Sequence, residues 1–423
     1  MPEFLTLLPP DEARDRLLLH LPAPGPAAET IEVAASLGRV CAEDIYAPHP
    51  LPQFPRSSVD GYAVRARDTY GASDSLPAYL VLAGEAPMGD APKSALQAAQ
   101  CMLIHTGGML PENADAVVML EYTQETRPSA GAAGRLDEIE ILRAVAEGEN
   151  VIAVGEDVAQ GRVVQAAGSL MRPAEIGGLM ALGVTMIRVA RKVRVGLVSS
   201  GDEVVPPHVA PRPGQVRDVN SYTLAALAAQ TGGEARLYGI VGDSFADLQA
   251  IAARALAECD LLVITAGSSA STRDMTADVI ATLGAPGVLV HGVNTRPGKP
   301  TILGVCDGKA VIGLPGNPVS ALVNGYLFVA PVIERLLGLL PRPRPAVQAR
   351  LAVNLPSQAG REDWWPVKLL PSPKGGQGGG WSAEPIFGKS NLIFTLAAAH
   401  GLLRIPPDAT GLEAGESVEV ILL

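Results

Sequence analysis

Alternating strand and helix patterns between residues 191 and 338 constrain the fold more than any other feature of the chain. The predicted strands cover residues 193–198, 235–241, 261–265, 288–293, 301–305 and 310–313. Four helices are predicted between and after these strands. The first starts at Asn220 or Ser221, the next two cover 245–257 and 275–283, and the last starts at Pro318. Strand and helix units of this length predict a parallel sheet with helices on both faces, and therefore an α/β domain at 191–338.

The segments before this α/β domain predict two further domains. Helical patterns fall at 10–21, 30–42 and 173–182. Short β-rich runs separated by Gly, Pro and Asp turns fall at 79–83, 101–106 and 116–120. We expect a discontinuous mixed domain formed by 1–47 plus 149–190, in which the helix at 173–182 packs on the N-terminal helices, and a small mostly β domain at 48–148.

The last part of the chain begins with a proline-rich linker at 340–345. Each proline fixes φ and disfavours helix in the residue before it, so this stretch is stiff and extended. Strand-like runs follow at 349–355, 365–370, 402–405 and 417–422. The pattern predicts a C-terminal domain at 339–423 that is a β-barrel or a sandwich, and the whole chain is expected to be α/β and multidomain.

Composition excludes several classes of function. The net charge of −11 argues against nucleic acid or an anionic membrane as the main partner. The four cysteines are far apart and form no CxxC pair, which fits a reducing cytoplasm without a zinc cluster or a disulfide framework. The first ten residues do not resemble an export signal, and no stretch reaches the ~20 apolar residues of a membrane span. We therefore expect a cytoplasmic protein.

Polar loops follow the predicted strands at one edge of the α/β sheet, the edge at which ligands bind in open α/β folds. These loops are 199–203, 242–244, 266–274 and 314–318. The 266–274 loop is the best phosphate candidate, because its hydroxyl groups and a glycine let backbone and side-chain donors surround an anion. The alternative is a loop with helix-capping serines.

Two further segments carry polar or charged groups to the same edge. Asn317 precedes Pro318 in the order expected of an N-cap and a first helical residue. Capping alone would explain Asn317, although ligand contact is compatible with it. Arg296 and Lys299 flank or lie within a Pro-Gly-Lys-Pro turn, which predicts two cations held on a rigid turn, with an ordinary surface turn as the alternative.

Six segments together resemble the MoeA family, the molybdopterin molybdenumtransferases related to the C-terminal part of gephyrin. They lie in the family's order along essentially the whole chain. The segments are Pro55-Arg-Ser-Ser-Val-Asp-Gly-Tyr-Ala-Val64, Thr106-Gly-Gly108, Gly155-Glu-Asp-Val158, Ser200-Gly-Asp-Glu203, Pro297-Gly-Lys-Pro300 and Gly313-Leu-Pro-Gly-Asn-Pro-Val-Ser320. This set is far more specific than any single glycine-rich loop.

The resemblance implies an elongated homodimer of four-domain subunits with a MogA-like third domain. Its site would lie between that domain and the small β domain of the other protomer. The implied reaction takes adenylated molybdopterin, molybdate and a divalent cation, usually Mg²⁺, and releases AMP as the metal joins the dithiolene. Mg²⁺ prefers a few carboxylates together with substrate phosphates, which suits the acidic residues of these motifs. Molybdopterin adenylyltransferase and apo-molybdoenzymes are further candidate partners.

The resemblance assigns roles residue by residue. The catalytic candidates are Asp60, Thr106 and Asp157 from one protomer, with Glu203, Asp218, Asp243, Asp274 and Lys299 from the other. The metal candidates are Glu203, Asp243 and Asp274. The candidates for binding the pterin substrate are Ser200, Gly201, Asn220, Gly267, Ser268, Ser269, Ser271, Arg296, Pro297, Gly298, Pro315, Gly316, Asn317 and Ser320.

The chain departs from the family pattern at two places. The 266–274 loop keeps its last aspartate but lacks two glycines and an acidic residue of the family loop. Gly292 and Arg296 stand where the family often has two lysines, and Arg273 is a candidate for replacing the lost charge. A tungsten-specific transferase, a molybdopterin carrier or scaffold that inserts no metal, and adenylyl transfer onto the pterin therefore stay open as alternatives.

Overall fold

The computed structural model describes residues 7–23, 27–126, 137–266, 270–372 and 380–423, with the backbone alone at 270–274. Its largest unit is a six-stranded sheet. The strands, in spatial order, are Gly233–Val241, Val193–Ser200, Leu261–Ala266, Lys309–Pro315, Ile302–Cys306 and Pro286–His291. The predicted α/β sheet is confirmed, and it lies within the segment where strand and helix patterns alternate.

One edge of this sheet differs from the prediction of a wholly parallel sheet. The first four strands are parallel, but Ile302–Cys306 runs antiparallel to both of its neighbours. Asp307 and Gly308 both have positive φ, at 49° and 79°. Two such residues form the tight turn of a hairpin, so the chain reverses directly into Lys309–Pro315 without a crossover helix.

Helices cover both faces of the sheet, as predicted. Phe245–Glu258 and Ala270–Thr282 pack on one face. The other face carries the helices Pro10–Leu19, Asn220–Gln230, Pro318–Asn324 and Ala330–Leu336, the last two joined by a π-helical turn at Gly325–Val329. The continuous helix from 318 to 336 has a mean hydropathy of 1.3, sufficient by composition for a membrane span, but 72% of it is buried, as in a core helix.

The N-terminal part of the chain corrects one prediction. The helix predicted at 30–42 is wrong: Ala28–Glu32 is a strand paired antiparallel with Met186–Ala190, followed by a 3₁₀ turn. Thr30 and Ile31 lie within this strand, where β-branched residues are favoured. The partner strand is more than 150 residues away, so local periodicity did not reveal the pairing.

The other two N-terminal helices are confirmed, but they do not pack on each other. The helix Pro10–Leu19 buries Ala13 and Leu17 in the core of the α/β unit. The helix Pro173–Ala181 instead packs through Leu179 with the strands and the 3₁₀ turn of the N-terminal region. Two short strand pairs complete that region, namely Ile45–Tyr46 with Val163–Gln165 and Arg56–Ser57 with Val151–Ile152.

Residues between 61 and 141 form a six-stranded sheet, which matches the β-rich pattern of that segment. In spatial order the strands are Ala116–Met119, Gly61–Val64, Gln100–Ile104, Ala78–Glu85, Glu138–Ile141 and Thr123–Thr126. The helical turns that the structure describes in this range are short 3₁₀ turns, at Ala66–Thr69 and Leu120–Tyr122.

The C-terminal region is a closed five-stranded barrel, the first of the two predicted alternatives. Its strands, in spatial order, are Glu362–Pro371, Trp381–Pro385, Ala346–Leu351, Ser417–Leu422 and Gly401–Ile405. Closure is made by the pairing of Glu362–Pro371 with Gly401–Ile405. The short strand Thr295–Arg296, from the α/β unit, pairs in parallel with Glu362 and Asp363. This pairing places the Pro-Gly-Lys-Pro turn directly against the barrel.

Candidate functional site

Buried hydroxyl groups lie at the carboxyl ends of two adjacent strands, where the chain order of the sheet reverses. Ser199 Oγ is 3.0 Å from Ser221 Oγ and 3.1 Å from Thr265 Oγ1. The next residue, Ser200, is 2% exposed, and its Oγ has no hydrogen-bond partner among the described residues. Buried polar atoms are normally paired, so an orphaned hydroxyl at this edge marks a place for a ligand atom or water.

The helix Asn220–Gln230 starts at this edge, and its two polar residues have different roles. Asp218 Oδ1 accepts a hydrogen bond from the Ser221 N–H at 3.1 Å, so this predicted catalytic carboxylate caps the helix. Asn220 Nδ2 donates to the Gly316 carbonyl oxygen at 2.8 Å and ties the helix to the 314–318 loop. Asn220 Oδ1 is buried and has no partner in the described chain.

An acidic patch, formed by Asp202, Glu203 and Asp243, follows the strands Val193–Ser200 and Gly233–Val241. The Asp243 N–H donates to Asp202 Oδ1 at 3.1 Å. Partial burial, and then the charges of Asp202 and Glu203, raise the pKa of Asp243 above its ordinary value. Gly201 has a φ of +143°, a backbone conformation that favours glycine.

The structure brings Glu203 and Asp243 together but does not form a complete metal cage. Within the described residues, no three His, Cys, Asp or Glu side chains have a metal-binding arrangement. The third predicted ligand, Asp274, lies on the helix Ala270–Thr282, but its side chain is outside the described residues, as is that of Ser271. The predicted phosphate-loop residues Gly267, Ser268 and Ser269 also lie outside the described residues.

A second concavity, the cationic pocket, lies between the Pro-Gly-Lys-Pro turn and the C-terminal barrel, with a volume of about 690 Å³. We define it by four cations and by the polar and aromatic groups around them. These residues are Arg296, Lys299, Arg361, Lys389, Asn317, Ser320, Ser390, Asn391 and Trp365. Arg296, Lys299, Asn317 and Ser320 come from the α/β unit and the others from the barrel, so the pocket exists only where the two regions meet.

The electrostatics of the cationic pocket favour an anion. Arg361 holds Asp363 through two hydrogen bonds, of 2.7 and 3.1 Å, and Arg296 lies 3.8 Å from the same buried carboxylate. The Arg296 guanidinium also lies 5.6 Å from the centre of the Trp365 ring. Lys299 and Lys389 have no side-chain partner in the described part of the chain. The positive charge therefore exceeds what Asp363 neutralises.

Asn317 contributes to this pocket in a way that sequence did not predict. It precedes the helix as expected, with Pro318 as the first helical residue, but its side chain makes no capping hydrogen bond. The Val319 N–H, which a cap would satisfy, instead donates to the Ser390 carbonyl oxygen at 2.9 Å. Asn317 Nδ2 donates to Ser390 Oγ at 3.1 Å. The predicted capping bond is wrong because a barrel loop takes its place.

A third group, the Asp60 cluster, lies on the small β sheet and consists of the predicted residues Asp60 and Thr106 together with Glu85 and His105. Asp60 Oδ1 accepts from the Thr106 N–H at 2.7 Å and from Thr106 Oγ1 at 3.1 Å. The hydrogen bonds from Thr106, and to a smaller extent the nearby His105, lower the pKa of Asp60. His105 bridges the cluster, with Nδ1 3.8 Å from Asp60 and Nε2 3.0 Å from Glu85. Sequence reasoning did not select Glu85 or His105.

Asp157 belongs to none of these three places. It is an exposed loop residue whose N–H donates to the Leu51 carbonyl oxygen. No hydrogen bond or ion pair within the described residues joins it, or the Asp60 cluster, to the acidic patch or the cationic pocket. The predicted arrangement across two protomers thus stays a prediction, although one chain alone does not assemble all the candidates in one place.

Models of three protein families match consecutive parts of the chain. The MoeA N-terminal region, comprising domains I and II, matches residues 8–183. The probable molybdopterin binding domain matches residues 196–335. The MoeA C-terminal region, domain IV, matches residues 348–423. The acidic patch and the α/β part of the cationic pocket lie in the second match, and the Asp60 cluster lies in the first.

Similar proteins match over nearly the whole chain. A putative molybdopterin biosynthesis protein of Methanocaldococcus jannaschii is 36% identical, covering 93% of this chain and 92% of that protein. Molybdopterin molybdenumtransferase 2 of Mycobacterium tuberculosis is 32% identical, covering 92% and 94% respectively. The crystal structure of the molybdopterin biosynthesis MoeA protein from Pyrococcus horikoshii superposes with a TM-score of 0.84 at 30% identity, covering 99% of this chain and all of that one.

Proposed function

Because this chain belongs to the MoeA family, we propose that it is a molybdopterin molybdenumtransferase, which inserts molybdenum from molybdate into adenylated molybdopterin and releases AMP. This is the final step of molybdenum cofactor biosynthesis. Relatives that cover more than 90% of the chain carry the name molybdopterin molybdenumtransferase. The proposal includes a cytoplasmic homodimer.

The cationic pocket is the observation that supports a metal-oxyanion substrate most directly. Molybdate is a small dianion, and a chain with a net charge of −11 must hold it with local donors. Lys299 and Lys389 provide charges that are not used elsewhere in the described chain, and Ser320 and Asn317 provide neutral donors beside them.

The edge of the α/β sheet is the proposed place of the adenylated pterin. Ser200 Oγ and Asn220 Oδ1 are buried and unpaired there, beside the start of the helix Asn220–Gln230, so a hydroxyl group and an amide oxygen are available to polar groups of the substrate. Asn220 is bonded to Gly316, which precedes the pocket residue Asn317 in the chain. The pterin and the oxyanion would thus bind on connected elements.

The acidic patch fits a magnesium ion shared with the substrate. Glu203 and Asp243 supply carboxylate oxygens. Partial burial, and then the charges of Asp202 and Glu203, raise the pKa of Asp243, and a bound cation would offset both effects. Mg²⁺ is commonly held by one or two carboxylates together with substrate phosphates, so an incomplete protein cage is the expected arrangement. When bound, Mg²⁺ would neutralise charge on the phosphates as AMP leaves.

The Asp60 cluster supports the proposed cross-protomer site. Its carboxylate is exposed, held ionised by Thr106, and bonded to nothing in the α/β unit of its own chain in the described residues. A carboxylate fixed by two donors yet open to solvent is suited to contact a substrate bound by a second copy of the chain. There Asp60 would orient the nucleophile that attacks the phosphate, or would accept a proton from it.

The decisive assay supplies adenylated molybdopterin and Mg²⁺ with either molybdate or tungstate, and follows AMP release together with reconstitution of an apo-molybdoenzyme. We expect both readouts, with molybdate the better substrate. Tight pterin binding without AMP release would instead establish a carrier. Formation of the adenylate from free pterin and ATP would establish an adenylyltransferase. A strong preference for tungstate would establish the tungsten-specific alternative.

A further inference from the structure

Asn324 is a buried polar residue that none of the predicted sites includes. It is 0% exposed and lies in the last position of the helix Pro318–Asn324, directly before the π-helical turn. Its Nδ2 donates to the Ser320 carbonyl oxygen at 2.8 Å and to the Pro297 carbonyl oxygen at 3.0 Å. Burying an amide requires such partners, and one of these two lies outside its own helix, on the turn that carries Lys299.

The orientation of this amide is determined by its surroundings. Both of its partners are carbonyl oxygens, which only accept hydrogen bonds, so the NH₂ end must face them. The Oδ1 atom is left buried and without a partner in the described chain. An unpaired buried acceptor is unfavourable, and the contact with Pro297 persists in spite of it.

The backbone of the turn packs directly on the Asn324 amide. Gly298 has a φ of +110°, and a β-carbon built on it would overlap the amide group. The turn also has hydrogen bonds that do not involve Asn324. The Thr301 N–H and Oγ1 donate to the Gly298 carbonyl oxygen, and the Val293 N–H donates to that of Lys299. Asn324 is the one donor to the Pro297 carbonyl oxygen among the described residues.

The helix that carries Asn324 also contributes to the lining of the cationic pocket. Asn317 stands at its start and Ser320 one turn later, and both line the cavity. Asn324 connects this helix to the Pro-Gly-Lys-Pro turn at Pro297, which lies two residues before Lys299. The turn is thus joined to the helix by an amide that is not among the lining residues of the pocket. Single π turns within α-helices frequently occur at functional sites, which fits this location.

We propose that Asn324 is a positioning residue of the cationic pocket, which fixes the Pro-Gly-Lys-Pro turn so that Lys299 faces Ser320 and Asn317 around a bound oxyanion. This inference rests on the proposed function, because it takes the pocket to be the oxyanion site. Asn324 itself does not touch the anion. Its effect on binding passes through Lys299.

Asn324→Ser separates the two hydrogen bonds. A serine in a helix commonly donates to the carbonyl oxygen four residues earlier, here that of Ser320, but its side chain is too short to hold Pro297 as well. In calorimetric titration of the full chain with sodium molybdate, we expect its Kd to rise on the order of tenfold, as expected for the loss of one hydrogen bond that positions a charge. Asn324→Ala should show at least the same rise.

Two controls separate positioning from general destabilisation. Val332→Ala removes buried volume from the same long helix, away from the pocket, and should lower the melting temperature while Kd for molybdate stays within about twofold. Lys299→Ala should raise Kd roughly 30-fold. In that background Asn324→Ser should add less than about twofold, because residues that act through one another are not additive.

An unchanged Kd in Asn324→Ser, or effects of Asn324→Ser and Lys299→Ala that multiply fully, would overturn the positioning role while the pocket assignment stands. An equal rise in Val332→Ala would also overturn it, since packing alone would then explain the loss. If the wild-type chain showed neither molybdate binding in the titration nor AMP release that saturates with molybdate, the oxyanion pocket and this inference would fail together. If AMP release saturates with molybdate but substitutions of the pocket residues leave the Kd unchanged, the pocket assignment fails while the transferase function stands.

Discussion

The cationic pocket and the Asp60 cluster are built in opposite ways. The walls of the pocket are held by the buried Asp363 carboxylate, which pairs with Arg361 within the barrel, and by the pairing of Thr295–Arg296 with the barrel. The Asp60 cluster is a set of exposed side chains on one sheet, held by hydrogen bonds from Thr106. The difference teaches that the cationic pocket is assembled within one chain, whereas the proposed catalytic carboxylate is exposed, as its proposed contact with a second copy of the chain requires.

The largest effect that sharpens this comparison is expected from Asp60→Ala. If the cluster acts in chemistry, AMP release should fall at least about 100-fold, the scale of losing a group that assists proton transfer. Molybdate binding should not change, because no described contact links Asp60 to the pocket. Asp60→Asn is the matched control, which keeps the shape and removes the charge, and it should lose nearly as much activity.

Steady-state AMP release and molybdate titration of the same preparations measure the two halves of this prediction. Size-exclusion chromatography should show an unchanged oligomeric state in both variants. Activity that survives in Asp60→Ala would show that the cluster is not part of the site, and that the contrast between the two regions has no functional meaning.

The next effect concerns stability and is expected from Arg361→Met. Asp363 is 1% exposed, and Arg361 supplies both of its close hydrogen bonds. Removing the guanidinium leaves a buried carboxylate with only the more distant Arg296, which should lower the free energy of unfolding by about 3 kcal/mol. Urea denaturation of the two proteins measures the difference.

Arg188→Ala is the matched surface control for that variant. Its partner is Glu43, and both side chains are more than half exposed. Such pairs contribute below about 1 kcal/mol, because water screens them. Equal losses in the two variants would mean that the pocket is no more rigidly built than the surface, contrary to the comparison drawn above.

Sequence predicted the local parts of both regions and missed what distant segments contribute. The Pro-Gly-Lys-Pro turn carries Arg296 and Lys299, and both were predicted as cations because the turn is local. Lys389 and Ser390 lie about 90 residues further along, in a barrel loop with no binding motif, and only the folded pairing with Thr295–Arg296 brings them near. The polar run from Lys389 to Asn391 was the one available signal.

The same limit explains the errors and the successes in the fold. Strand and helix periodicity within 191–338 was long and regular enough to predict the α/β unit. The 30–42 segment failed because its strand partner is remote. Asn317 was placed correctly before its helix, but the bond that its side chain makes depends on Ser390. On the small β sheet, Asp60 and Thr106 were found by motif resemblance, whereas His105 and Glu85 belong to no motif.

The smallest expected effect is a change in the pH profile of Thr106→Val. Thr106 lowers the pKa of Asp60 mainly through its N–H and then through its hydroxyl. A carboxylate with a lowered pKa stays ionised, and active, until the pH falls through that pKa. The variant keeps the N–H and loses the hydroxyl, so the pKa of Asp60 should move back up and the acidic limb of kcat/KM should shift to higher pH.

At neutral pH, where Asp60 is ionised in both proteins, the rates should agree within about threefold, since one exposed hydrogen bond is lost. His105 lies beside Asp60 and contacts Glu85 through its other ring nitrogen, so His105→Gln is run in parallel to show whether the histidine contributes a separate limb. Identical acidic limbs in wild type and Thr106→Val would mean that the titrating group is not Asp60, and would leave the exposed cluster without the electrostatic role that distinguishes it from the pocket.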